Sequence, residues 1–316
     1  MIVFPAIDIL DGKVVRLRQG RLDAVTVYND DPVDQAQRFR AEGADWVHVV
    51  DLDGAVLGDP KNIRLVSQIA SLGISVQTGG GIRTMDTIDR MFAAGVKRVV
   101  LGTTAVKDPE LVREACRIYP DIVAAVDARD GKVAVEGWAE GTDRGAAELI
   151  LELQSLGVKR VAYTDIARDG MQVGLNFGAY RALTTHVSVP IIASGGVSSL
   201  TDLKELAMLG PQIEGVIVGR ALYEGSFTLM EALQAARAGV DPHSVALATC
   251  SPESDFDASP VQPTGNHRAG HRPCPQPSSP PHHGWRGCAV ARHGYDRLWH
   301  RPSRARRFPP ARESGR

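Results

Sequence analysis

Three aspartates and two pairs of glycine turns are the residues of this chain whose types and spacing suit chemistry. Asp8 follows the apolar, β-prone run 2–7 and leads into Ile9-Leu10-Asp11-Gly12-Lys13, while Asp127 follows run 122–126 and leads into Ala128-Arg129-Asp130-Gly131-Lys132. The two stretches repeat one pattern, a strand that delivers a carboxylate at its C-terminal tip, where parallel α/β folds keep their reactive groups. A lone Asp is accounted for as a turn residue; two at matched positions in a duplicated frame point to a pair. Asp169, in Thr164-Asp165-Ile166-Ala167-Arg168-Asp169-Gly170, is the third. Opposed carboxylates act as general acid and general base on a substrate held between them, provided their surroundings keep one protonated. Either division of roles is open at this level.

The glycine turns come in matched pairs. Gly79-Gly80-Gly81-Ile82-Arg83 and Gly102-Thr103-Thr104 lie in the first half, Ser194-Gly195-Gly196-Val197 and Gly219-Arg220 in the second. Glycine removes the Cβ that would keep an anion from backbone N–H groups, and a following helix start adds positive dipole. One Gly-Gly pair is accounted for by a tight turn. Two matched pairs predict two phosphate cups on opposite sides of one mouth, hence a small-molecule ligand with a phosphate at each end. Residues 1–239 carry a net charge of about −6, so no overall field draws a dianion in. Capture then rests on local amides, on Arg83 and Arg220, and on Arg16 or Arg18.

These groups need a scaffold. Short β-prone runs recur at 2–7, 46–50, 74–76, 96–101, 122–126, 158–163, 189–193 and 216–218. Between them lie segments of helical spacing, with Asp31-Pro32 and Asp108-Pro109 as starts and Asn62, Thr84 and Ser199 as further N-caps. Gly43, Gly73, Gly95, Gly157 and Gly210 fall where those helices should stop. Eight strands alternating with helices imply parallel pairing through right-handed crossovers. The count favours an α/β fold closed as a single (β/α)8 TIM barrel over a doubly wound open sheet, and Gly79-Gly80-Gly81 is not the G-x-G-x-x-G of a dinucleotide site. The repeat continues through Asp51 and Asn62 against Asp165 and Asn176, giving half-barrels at about 1–120 and 121–239. Residues 16–29 are expected as a loop over the mouth.

Other chemistries have little support. His48 and His186 are the only histidines of residues 1–239 and are expected to be structural, and Cys116, in a helical pattern, to be packing. Asp51 and Asp53 are expected to anchor loops. No H-E-x-x-H, Cys/His cluster or P-loop occurs in this part, so neither a metal nor a cofactor is expected. The start of the chain runs straight into a strand, and no apolar stretch reaches the roughly 18 residues of a membrane span. The expectation is a cytoplasmic monomer that binds neither nucleic acid nor membrane.

The opening Pro-Ala-Ile-Asp-Ile-Leu-Asp-Gly-Lys-Val-Val-Arg-Leu, Gly-Gly-Gly-Ile-Arg (79–83), Thr-Asp-Ile-Ala-Arg-Asp-Gly-Met (164–171), Ala-Ser-Gly-Gly-Val-Ser-Ser-Leu (193–200) and Gly-Arg-Ala-Leu-Tyr-Glu-Gly (219–225) resemble the phosphoribosylformimino-aminoimidazole carboxamide ribotide isomerases of histidine biosynthesis. The resemblance covers roughly residues 1–237. It implies a half-duplicated barrel, a substrate with two phosphates and a metal-free Amadori rearrangement of an aminoaldose to an aminoketose. It implies Asp8 as the base at the sugar C2 and Asp127 as the acid that opens the ring, assisted by Asp169 and Thr164. The phosphates would be held through Gly81, Arg83, Gly102 and Thr103 on one side, and Gly170, Ser194, Gly195, Gly196, Gly219 and Arg220 on the other. The alternatives are the related cyclase, a lyase that works with a glutaminase; an isomerase that also accepts phosphoribosyl anthranilate; and a catalytically dead scaffold. Ala6-Ile7-Asp8-Ile9-Leu10 and Arg168-Asp169-Gly170-Met171 look like the isomerase, and intact aspartates and cups argue against the scaffold.

Residues 240–316 differ from the rest. They hold 11 Arg and no Lys, 12 of the 19 Pro and 7 of the 9 His, without apolar period. This stretch is expected to be disordered, with the composition of a frame-shifted or otherwise non-native extension. Cys250, Cys274 and Cys288 fit no zinc spacing.

Overall fold

The computed structural model describes residues 1–18, 20–135, 137–138 and 140–238, leaving aside the side chains of 18, 21–23 and 238. The Pro/Arg/His-rich stretch 240–316 lies outside the described residues. In chain order the strands are β1 (Ile2–Leu10), β2 (Lys13–Arg18), β3 (Arg21–Asn29), β4 (Trp46–Asp51), β5 (Ser75–Gly79) and β6 (Arg98–Leu101). The second half supplies β7 (Ile122–Arg129), β8 (Lys132–Val135), β9 (Glu140–Gly145), β10 (Val161–Asp165), β11 (Ile191–Ser194) and β12 (Ile213–Val218). The helices of the first half are α1 (Pro32–Ala41), α2 (Leu52–Leu57), α3 (Ile63–Ser71), α4 (Met85–Ala93), α5 (Thr103–Lys107) and α6 (Pro109–Ile118). Those of the second are α7 (Ala146–Ser155), α8 (Phe177–His186), α9 (Leu200–Ala207), α10 (Arg220–Tyr223) and α11 (Leu229–Ala238).

Eight strands, β1, β4, β5, β6, β7, β10, β11 and β12, pair in parallel in that order, and β12 returns to β1. The ring is a closed (β/α)8 barrel, and every one of its strands is one of the expected runs. Such strands are covered on both faces, which explains their unbroken apolar character. Inward, Phe4, Val100, Val123, Ala162 and Ile192 fill the lumen; outward, residues such as Ile7, Val49, Val76, Val99 and Val126 meet the helices. Arg98, from β6, meets Glu214 of β12 at 2.5 Å and lies 4.3 Å over the Trp46 ring, joining three strands at the N-terminal end. The reactive groups sit at the opposite end.

Helix punctuation follows the residue chemistry. Asp31 accepts from Val33 N–H at 2.8 Å, and Thr84 and Ser199 each form a reciprocal capping box with the residue three positions on. Asn62 departs from expectation. It precedes α3 without capping it, and its Nδ2 donates to Asp51 and Asp53, each at 2.8 Å. Its counterpart Asn176 does both, accepting from Ala179 N–H at 3.2 Å and donating to Asp165 at 2.8 Å. Asp51 also accepts from the backbone of Gly54, Lys61 and Asn62, so it anchors its loop as the residue pattern suggested.

The stretch 16–29 is not a loop. β2 and β3 form an antiparallel pair continuing from β1, and β8 and β9 do the same after β7. Each excursion begins with a two-residue turn in which both residues have positive φ, Asp11 and Gly12 at 50° and 73°, Asp130 and Gly131 at 51° and 77°. That is the hairpin turn an Asp-Gly pair favours, because its twist matches that of the flanking strands. The two halves thus each raise a hairpin from the carboxylate-bearing strand.

Candidate active site

At the C-terminal ends of the strands the barrel opens into a cavity of about 660 Å³, within the usual range for a small-molecule site. Asp8, Asp127, Asp169 and Thr164 all line it, as do Gly81, Arg83, Gly102, Thr103, Gly170, Ser194, Gly195, Gly196, Gly219 and Arg220. These residues are therefore gathered at one mouth.

The two hairpin-bearing carboxylates have different surroundings. Asp8 accepts a hydrogen bond from Arg16 Nη1 at 2.7 Å, and Nη2 of the same guanidinium donates to Ala6 C=O at 2.8 Å. Burial raises the Asp8 pKa, and Arg16 opposes that rise by charge and hydrogen bond. Asp127 has neutral partners. Its pKa is also raised by burial, opposed by hydrogen bonds from the Trp138 and Thr164 side chains. One carboxylate faces a cation and the other does not, which is the kind of difference that separates an acid from a base.

Asp169 stands between them electrostatically. Burial pushes its pKa up to about 6, Arg16 opposes the rise, and the charges of Asp8 and Asp127 add to it. A carboxyl raised from 3.8 in this way binds its proton more tightly folded than unfolded, so its ionisation costs stability as pH rises from about 4 through about 6. Asp169→Asn should therefore stabilise the fold by on the order of 1–3 kcal/mol at pH 7.5, with the gain vanishing near pH 4. Thermal unfolding at both pH values reads this directly; a midpoint that falls equally at both would contradict it.

Arg16, expected at a phosphate, is the hydrogen-bonded partner of Asp8. It lies on the hairpin strand beside Val15, which is in register with Asp8, so a long side chain there folds back over the carboxylate. Its guanidinium carbon lies 2.6 Å from where a Cβ on Gly219 would stand, so Arg16 reaches the edge of the second glycine turn. The side chain of Arg18 lies outside the described residues. Arg220 Nη1 donates to Gly170 C=O at 2.7 Å, tying the loop that carries Asp169, while Arg83 is exposed at the rim.

The glycines also have a packing role that the sequence did not state. Gly80 and Gly81 have φ of 111° and 73°, and Cβ atoms there would lie 2.1 Å from Asp51 C=O and 2.3 Å from Gly54 C=O. Gly195 and Gly196 repeat this at 2.6 Å from Asp165 C=O and 2.5 Å from Gly174 C=O. Neighbouring loops pack on both pairs, which excludes a side chain there, whereas a Cβ on Gly102 would meet nothing. Gly80→Ala, strained in conformation and blocked by backbone, should lower stability by about 2–4 kcal/mol. A urea midpoint within error of wild type would refute that packing account.

Two further residues line the site that the sequence did not assign to it. Trp138, at the hairpin tip of the second half with φ of 74°, reaches Asp127 and is covered by Gly20 of the first hairpin, where a Cβ would lie 2.5 Å from the indole. A large aromatic beside a glycine in a polar stretch is the one signal it leaves. His48, expected to be structural, is held 3.1 Å from Gln77 Nε2 and also lines the cavity. Burial, with Arg16 nearby, lowers its pKa to about 3, so the ring is neutral.

A family model described as "Histidine biosynthesis protein" matches residues 2–228. A protein of Syntrophotalea carbinolica is 50% identical over 236 residues, 74% of this chain and 97% of that protein. One of Paramagnetospirillum magneticum is 51% identical over 235 residues, 74% and 98% of the two chains. One of Thermoanaerobacter pseudethanolicus is 47% identical over 239 residues, 75% of this chain and 100% of its own. All three bear the name 1-(5-phosphoribosyl)-5-((5-phosphoribosylamino)methylideneamino) imidazole-4-carboxamide isomerase.

Proposed function

The chain belongs to the histidine biosynthesis protein family and is an aldose–ketose isomerase of that pathway, and from this premise we propose how its residues divide the reaction. The substrate is the bisphosphorylated aminoaldose named in its relatives, and the reaction is an Amadori rearrangement. The phosphates sit at the two glycine turns, one near Gly81, Arg83, Gly102 and Thr103, the other near Gly170, Ser194, Gly195, Gly196, Gly219 and Arg220. Binding at both ends holds the sugar between the carboxylates, which supplies proximity before any bond changes.

Protonated Asp127 gives its proton to the ring oxygen, and the C1–O bond opens to an iminium. Asp8, ionised beside Arg16, then removes the proton from C2 to leave an enolamine, which tautomerises to the ketose. Asp169 and Thr164 assist, Asp169 as a second carboxyl near the reacting sugar and Thr164 by its hydrogen bond to Asp127. The observation that carries this assignment is the difference in partners, a guanidinium on Asp8 and neutral donors on Asp127. Incubating purified protein with the aminoaldose should yield the ketose without added metal or glutaminase. Conversion only of the ketose with ammonia, the cyclase reaction, would overturn the proposal, and phosphoribosyl anthranilate in a third tube reads the breadth of substrates.

We take the working unit to be a monomer, and the lone cysteine of residues 1–239 fits a reducing compartment such as the cytoplasm. The relatives align over nearly their whole lengths within about three quarters of this chain. We take residues 240–316 to lie outside the catalytic unit as a non-native extension. Ending the chain at residue 239 should leave kcat and KM within about 2-fold of the full chain, inside the range of changes remote from a site. A loss of more than about 10-fold in folded protein would assign the extension a role.

A further inference from the structure

Beneath the carboxylates the cavity has a floor, and it is polar on one side only. Register places Ala6 level with His48 and Asp8 level with Val50, so His48 stands one layer of side chains below Asp8. Ala6, Ala125, Ala162, Val100 and Ile217 make up the rest of that floor. The halves match residue for residue around it, Asp51 with Asp165 and Gly80 with Gly195, each anchor or glycine in the same place in its turn. Three positions before these lie His48 and Gln77 in the first half, but Ala162 and Ile192 in the second. Ala162 is 3% exposed and Ile192 fully buried, so the second half offers the ligand no polar group at this depth.

A bisphosphate gripped by two similar cups has two ways to lie, and the grip alone does not choose between them. We propose that His48 makes the choice: oriented by Gln77, it presents a neutral Nε2–H donor on the first-half floor to a carbonyl or hydroxyl oxygen in the middle of the ligand, so that one end-to-end orientation is bound in preference. The proposal rests on the isomerase reading above. Gln77, fully buried, stands between His48 on β4 and the cationic Arg98 on β6, which favours its amide nitrogen toward the imidazole. The 3.1 Å contact then makes Nδ1 the acceptor and leaves the proton on Nε2. Gln77 is thus a positioning residue for His48, while His48 itself meets the ligand.

Three measurements test this. Nitrogen NMR of the wild-type imidazole at pH 7 should find the Nε2–H tautomer, and Gln77→Glu, which offers Nδ1 an acceptor, should move the proton to Nδ1. Phosphorus NMR of saturating ketose product should give two bound resonances in wild type and a second pair, from the reversed orientation, in His48→Leu. In turnover His48→Leu should lose about 10–100-fold in kcat/KM, the size of one buried hydrogen bond, with His48→Asn recovering part of it. An imidazolium or Nδ1–H tautomer in wild type, or a His48→Leu enzyme with one pair of resonances and unchanged kcat/KM, would overturn the proposal. The wild-type tautomer needs no variant to fold, and a wild type inactive on the aminoaldose would instead sink the isomerase reading.

Discussion

Asp8→Asn should lower kcat for the aminoaldose by about 10³–10⁴-fold while changing the affinity for the ketose product by less than about 10-fold. The amide keeps the size of the carboxylate but cannot take the C2 proton. With the phosphates held at the proposed glycine turns, affinity is expected to survive the substitution, so the loss falls on the chemical step. Arg16 keeps its hydrogen bond to Ala6 C=O at 2.8 Å, so the variant retains one anchor for the guanidinium. In wild type the acid limb of kcat/KM should lie above the usual carboxylate range, because burial raises Asp8 more than Arg16 lowers it. Rate falls as pH drops through that limb, since the base is then protonated. Steady-state kinetics with product titrations give the split; a variant that loses affinity and rate together would make Asp8 a binding group.

Asp127→Asn should cost about 10²–10⁴-fold in kcat, and it should change which step limits. With no proton for the ring oxygen, opening becomes slow and the C2 transfer follows it quickly. A deuterium at C2 should then slow Asp127→Asn hardly at all, whereas Asp8→Asn should show a large effect. A full isotope effect in Asp127→Asn would move the ring-opening role to Asp169, whose raised pKa of about 6 also suits an acid. The isotope comparison therefore separates the two carboxyls that surround the same sugar.

The barrel was legible because its strands are covered twice. Runs such as Val99-Val100-Leu101 read as continuous β-branched stretches, since one face meets Val123 and Phe4 in the lumen and the other the helices. The Asp–Asn anchors and the paired aspartates were legible through repetition, because two copies of one frame single out what both keep. The hairpins were hidden for the opposite reason. Thr26 and Val27 lie exposed in a two-stranded ribbon with little core, so the stretch lacks a clean alternation, and only Asp11-Gly12 and Asp130-Gly131 announce it. The contact of Arg16 with Asp8 was hidden because it is fixed by how that ribbon folds back, which sequence spacing does not state. The glycine turns were found at the right places for an incomplete reason: Gly81 and Gly196 are constrained by the carbonyls of Gly54 and Gly174, contacts made between loops distant in the chain. His48 and Gln77 lacked a counterpart in the second half, and a search for repetition passes over what breaks it.

In the proposed complex one cavity grips a bisphosphate by both ends, with its sugar between Asp8 and Asp127. A crystal structure with the ketose product bound would show this arrangement. One phosphate should lie at Gly81, Gly102 and Thr103, the other at Ser194, Gly196 and Gly219, with an Asp8 oxygen in hydrogen-bond reach of the C1–C2 edge of the sugar. A product anchored by a single phosphate, or with its sugar away from both aspartates, would contradict the account.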